Sequence, residues 1–170
     1  MSSSLRLVKE ASGSSVSSIS LDDCFTSDFE IYKVFVTMEG FSGNHALNMR
    51  FINSTGSIIT ESTSYDYSRQ MIKSDSTFSN DNSASSGFIY TGELDDDGMG
   101  QMIDVFSPYD SSVYTQMMMR TSGHSGSNWR GQFGGGALQQ QSLITGVHFY
   151  SNNAGAMTTI KVSVYGLRES

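Results

Sequence analysis

Three carboxylates run together at Asp95-Asp96-Asp97-Gly98, and clustered hard oxygens on a tight turn are what calcium selects. The EF-hand spacing is missing, because Gly100 and Gln101 stand where further ligands are needed, and a solvated acidic loop is the plainer reading. His45, His124 and His148 lie far apart, and none has a second ligand at zinc spacing. With 32 serines, a chance Ser-His-Asp combination carries no information, and no Gly-x-Ser-x-Gly elbow is present. Cys24, the single cysteine, has no catalytic motif around it. Gly134-Gly135-Gly136 lacks the Gly-Lys-Ser/Thr ending of a phosphate loop. No catalytic residue, metal site or cofactor is assigned, and the expectation is a protein that is not an enzyme.

Recognition chemistry is better represented. Trp129-Arg130 sits in a glycine-rich stretch with Ser127, Asn128 and Gln132 beside it. An indole can stack on a sugar while neighbouring amides and a guanidinium bond its hydroxyls. Asn128, Trp129 and Arg130 are therefore the candidate glycan or partner contacts. The competing reading is that the only Trp closes one end of the core. Met117-Met118-Met119 would face both sides of a strand, which suits a central strand or a subunit interface, where Met fills irregular gaps.

These residues need elements to hold them. Across 170 residues, Val, Ile, Thr, Tyr, Phe and Trp outnumber Ala, Leu, Lys and Glu about two to one, favouring strands. There is one proline, and charged residues make up 16% against a usual ~25%. Alternation predicts strands over 4–9, 14–20, 29–38, 45–53, 57–61, 63–72, 86–91, 101–107, 113–121, 129–133, 143–151 and 157–165. In the last, Ile160, Val162 and Val164 share a face opposite Lys161 and Ser163. In 45–53, Leu47, Met49 and Phe51 oppose Asn48 and Arg50. In 143–151, Leu143, Val147 and Phe149 oppose His148 and Tyr150. Segment 29–38 is nearly all apolar and reads as a central strand. Segment 22–30 has room for a short helical turn capped by Thr26 or Ser27. Segments 73–86 and 121–136 read as long surface loops, the first from Ser, Asp and Asn, the second from six glycines in sixteen positions. The expected fold is a single all-β domain spanning 1–170, an antiparallel β-sandwich or barrel.

Charge and cysteine usage narrow the partners. A net charge of −7 argues against a sequence-independent nucleic-acid binder. A single cysteine allows no internal disulfide, and no apolar run has signal-peptide or transmembrane length, so synthesis in a reducing cytosol without membrane insertion is expected.

Several stretches carry a family resemblance. They are Ser4-Leu5-Arg6-Leu7-Val8-Lys9, Val16 to Leu21, Cys24 to Tyr32, Leu47-Asn48-Met49-Arg50-Phe51, Gly56, Tyr65-Asp66-Tyr67, Ile144 to Tyr150 and Val162 to Leu167. Together they resemble small virion structural proteins of tailed phages of the marine and cyanophage type. The resemblance implies a jelly-roll-like sandwich in the particle, often a homotrimer, contacting other capsid or tail proteins. It carries no site residues over. It implies a virion component made in the host cytoplasm. A capsid decoration (cement) protein is the first reading. A tail or fibre component binding a host surface glycan is the alternative, and a stand-alone carbohydrate-binding module the third.

Overall fold

The structure, a computed structural model, describes residues 4–40, 45–94, 98–125, 128–152 and 156–168. They form twelve strands: β1 (Ser4–Val16), β2 (Ser18–Leu21), β3 (Ile31–Met38), β4 (His45–Asn53), β5 (Tyr65–Lys73), β6 (Phe78–Ser86), β7 (Ile89–Leu94), β8 (Met99–Phe106), β9 (Gln116–Ser125), β10 (Asn128–Leu138), β11 (Ile144–Ser151) and β12 (Met157–Arg168). Eight make one sheet in the order β1-β12-β3-β8-β9-β10-β5-β6, and four make a second in the order β2-β11-β4-β7. All named pairings are antiparallel. The chain passes repeatedly from one sheet to the other, as in β1 to β2 to β3 to β4, and so builds the two layers of the expected antiparallel sandwich together.

The core lies where the alternation places it. Tyr32, Val34 and Val36 of β3, Val162 and Val164 of β12, and Ile103 and Val105 of β8 are buried in register beside one another. Leu47, Met49 and Phe51 of β4, with Val147 and Phe149 of β11, face them from the small sheet. Burying each such side chain contributes roughly 1.5–3 kcal/mol. Tyr65 is fully buried because its hydroxyl has partners: it accepts from Phe51 N at 2.9 Å and donates to Ile59 O at 3.1 Å. A second inter-sheet link runs through Gln101, whose amide donates to Thr91 O at 2.6 Å and to Thr121 Oγ1 at 2.8 Å.

Several expectations are corrected. Segment 121–136 is not a loop: the strand expected over 129–133 is part of β10, and the other described residues of the segment belong to β9 and β10, which pair along their length. Glycine there serves close approach, since a Cβ on Gly134 would stand 2.3 Å from Ser68 O. Segment 73–86 is a short turn followed by β6, whose polar side chains suit an exposed edge strand. Segment 57–61 contributes only a bridge, Ile52 to Ile58. Segment 22–30 forms turns without a helix, tied by Tyr32 Oη donating to Thr26 O at 2.7 Å. In β11 it is Ile144, not Leu143, that is fully buried, because a bulge between Ile144 and Gly146 reverses the parity. Likewise a bulge in β1 packs Val8 against the core and leaves Leu5 and Leu7 outside. Asp95, Asp96, Asp97 and Ser127 lie outside the described residues.

Candidate functional site

The three candidate contact residues sit at the start of β10, and the pleat separates them. Asn128 and Arg130 project to one side and Trp129 to the other. Trp129 is 62% exposed, so it does not close the core. It lies on the outer face of the large sheet opposite His124, ring centroids 5.3 Å apart and edge-to-face. Arg130 is half-buried and turns to the inner side, between Gly123 and Lys73 of the neighbouring strands. Asn128 is engaged within the protein: its Nδ2 donates to Asp75 Oδ2 at 3.1 Å, and its Oδ1 accepts from Ser74 Oγ at 3.4 Å. Ser74 N also donates to Trp129 O at 2.9 Å, so these contacts fasten β10 to the turn between β5 and β6. Asp75 accepts from Thr77 Oγ1 and Thr77 N, and these bonds hold its carboxyl below the ordinary value. Of the three, Trp129 is the most exposed.

Elsewhere on the same outward face lies a separate apolar corner. The register sets Leu5 and Leu7 of β1, Tyr165 and Leu167 of β12, and Ile31 of β3 on the same outward side. Leu5 and Leu7 are 45% and 49% exposed. Phe35 packs edge-to-face on Tyr165 at 5.6 Å. Further along, Met118 and Phe133 are 55% and 49% exposed, while Met117 and Met119 turn inward and are buried. The methionine run thus divides between core and surface. Phe133 falls within the strand expected over 129–133, which is part of β10, while the loop reading of 121–136 assigned it no face. The period-2 pattern of Trp129, Gly131 and Phe133 was the signal for it.

Reactive groups elsewhere are held in structural roles. Cys24 is fully buried, and burial pushes its thiol up to about 12, far from a reactive thiolate. Ser20 Oγ lies 2.8 Å from His148 Nδ1, but no carboxylate hydrogen-bonds His148 among the described residues, so the orienting third group of a triad is missing there. Burial, and then the Arg50 guanidinium, holds the His148 imidazole below its ordinary value. No group of three His, Cys, Asp or Glu suited to a metal occurs among the described residues.

No protein-family model matches the chain, and no curated protein matches it. Among solved structures, sucrose-6-phosphate hydrolase from Lactobacillus gasseri aligns with 95% of this chain and 28% of its own, at 10% identity and a TM-score of 0.37. Infectious bursal disease virus structures align at 10% identity: the Gt strain over 95% of this chain and 42% of its own with a TM-score of 0.15, the Gx strain over 97% and 38% with 0.19. The chain spans less than half the length of each. Alignments this weak carry no argument about activity.

Proposed function

We propose that the protein is a non-enzymatic structural component of a tailed-phage virion, a capsid decoration protein that assembles as a homotrimer and works through protein–protein contact. The observation that carries this reading is the apolar outer corner formed by Leu5, Leu7, Ile31, Phe35, Tyr165 and Leu167. An apolar cluster left in water across three adjacent strands is costly to a lone chain and marks a contact surface. Cyclic assembly would cover it with a second copy. The sequence resemblance to small virion proteins points the same way.

Light scattering coupled to gel filtration tests the assembly. A particle three times the 18.5 kDa chain mass is expected, and Leu7→Asp should reduce it to single chains that keep the β spectrum and melt at a lower temperature than the assembly. A wild-type protein that stays monomeric at micromolar concentration overturns the trimer. Addition of the purified protein to undecorated capsids, followed by sedimentation, tests the virion role: the protein should travel with the shell.

The exposed Trp129 favours a second reading, a tail or fibre component that binds a host surface glycan. Under the decoration reading, Trp129→Ala leaves both incorporation and host adsorption unchanged. Particles that assemble with this variant but lose adsorption would decide for the tail.

A further inference from the structure

We propose that the outer face of the large sheet carries a second recognition site, a groove across β9, β10, β5 and β6 that binds an oligosaccharide containing an acidic sugar. It is distinct from the Trp129 end and does not depend on where in a virion the protein sits. The register sets Arg120, Phe133, Gln70 and Asn80 in one row across four strands, with Ser68 and Asn82 in the next row. Four strands at ~4.8 Å spacing give a span of about 14 Å, suited to a short oligosaccharide.

Phe133 stands between two hollows. One, of about 320 Å³, is bounded by Ser68, Gln70, Asn80, Asn82, Phe133 and Asp81, whose carboxylate is neutralised by Arg69. The other, of about 450 Å³, is bounded by Asp104, Met118, Arg120, Phe133 and Gly135, where the missing side chain of Gly135 leaves room beside the ring. The half-exposed Phe133 ring offers an apolar face to the C–H side of a pyranose. Carboxamides both donate and accept, as sugar hydroxyls do. The Gln70, Asn80 and Asn82 amides make no side-chain hydrogen bond among the described residues, so their donors and acceptors point to solvent beside the ring. Arg120 is exposed and has no carboxylate partner among the described residues, whereas Lys33 pairs with Asp104 and Lys161 with Glu10. In a chain of net charge −7, an unpaired guanidinium next to an aromatic ring favours a carboxylate on the ligand.

The floor of the groove is fixed from below. Arg69, 7% exposed, donates from Nε to Asp81 Oδ2 at 3.0 Å and from Nη1 to Gln132 Oε1, and its guanidinium lies 3.6 Å from the centroid of the Tyr90 ring. These contacts tie β5 to both β6 and β10, so the outward residues of the three strands hold one register. Such positioning of a recognition surface on paired strands limits the ordering cost of binding.

The test uses the purified protein on an array of neutral and uronic- or sialic-acid-containing oligosaccharides, with retained glycans titrated by calorimetry. Binding to acidic members is expected. Phe133→Ala should weaken it about tenfold or more, equal to about 1.4 kcal/mol. Arg120→Gln should remove the preference for acidic over matched neutral glycans while leaving the melting temperature unchanged. Trp129→Ala should leave the affinity unchanged. Should Phe133→Ala fold poorly, the Gln70→Ala/Asn80→Ala double variant reads the same groove from its exposed rim and should also lose affinity. No retained glycan, unchanged affinity in the rim variant, or loss confined to Trp129→Ala overturns the proposal. Because no particle is involved, its failure is separate from failure of the virion reading.

Discussion

On the small sheet, the outward-facing groups partner one another. Ser20 bonds His148, His148 stacks on Tyr150 at 5.6 Å, and Arg50 lies 4.5 Å over the Tyr150 ring while its Nε donates to Gly87 O at 2.7 Å. On the large sheet the charged outward groups pair, as Lys33 with Asp104 and Lys161 with Glu10, but several apolar ones are left open: Leu5, Leu7, Met118, Phe133 and Trp129 are each at least 45% exposed. Both faces come from the same alternation of strand residues. The difference lies in whether the side chains find partners within the chain. A closed polar face contributes to the stability of the fold, whereas an open apolar one is available to something else.

The strongest way to test this contrast is to compare the two faces of one strand. Val162 is fully buried on the inner side of β12, and Lys161 beside it is exposed, paired with Glu10 at 3.0 Å. Val162→Asp places an unpaired carboxylate in apolar surroundings, a cost of several kcal/mol against a total of about 5–15. Insoluble or unfolded protein is expected. Lys161→Asp exchanges an exposed ion pair for an exposed like-charge contact with Glu10, a small effect beside the buried change. Denaturant midpoints of the two variants decide, and equal effects would refute the assigned faces.

A smaller contrast lies within β10. A Cβ on Gly134 would meet the backbone atoms Ser68 O at 2.3 Å and Arg69 Cα at 2.7 Å, and Arg69 Cβ at 2.8 Å, whereas a Cβ on Gly131 meets nothing within 4 Å. Gly134→Ala should cost about 1–3 kcal/mol through forced separation of β10 from β5. Gly131→Ala should be neutral or slightly stabilising, by up to ~1 kcal/mol. Similar melting temperatures for the two would show that the close approach is not required.

These positions also show what the sequence could and could not reveal. Ile160, Val162 and Val164, or Leu47, Met49 and Phe51, alternate cleanly, and their strands and buried faces were legible because one face meets water and the other the core. Segments 73–86 and 121–136 read as loops because Ser, Asp, Asn and Gly have low strand propensity, although alternation marked 129–133 within the second as a strand. What makes them strands is pairing with β5 and β9, a long-range property that no local window contains. The bulges in β1 and β11 shifted parity by one residue, and local pattern does not mark such a shift. Trp129 was legible as a candidate contact. Its separation from Arg130 follows from the pleat once β10 is known to be a strand. The Phe133 groove was not legible, because Arg120, Gln70 and Asn80 come together only through four-strand register.

The smallest expected effect concerns the closed face. Burial, with the Arg50 charge adding to it, keeps the His148 imidazole below its usual 6.5 in the folded chain, so the unfolded chain takes up that proton first as pH falls. The stabilisation from neutral His148 is therefore complete above about pH 6.5 and declines as pH drops below it towards the folded value. Melting temperature should fall from about pH 7 to about pH 5.5, before most carboxylates titrate. His148→Gln retains a polar group able to reach Ser20 but cannot ionise, so the fall across that window should shrink. Glu10, Asp75 and Asp110 have carboxyls lowered by hydrogen bonds and lose their contribution only at more acid pH, which keeps the two regimes apart. If the slope between pH 7 and 5.5 is the same in wild type and His148→Gln, the small sheet's outer face does not gain stability from holding this ring neutral, and the contrast with the open face of the large sheet would rest on packing alone.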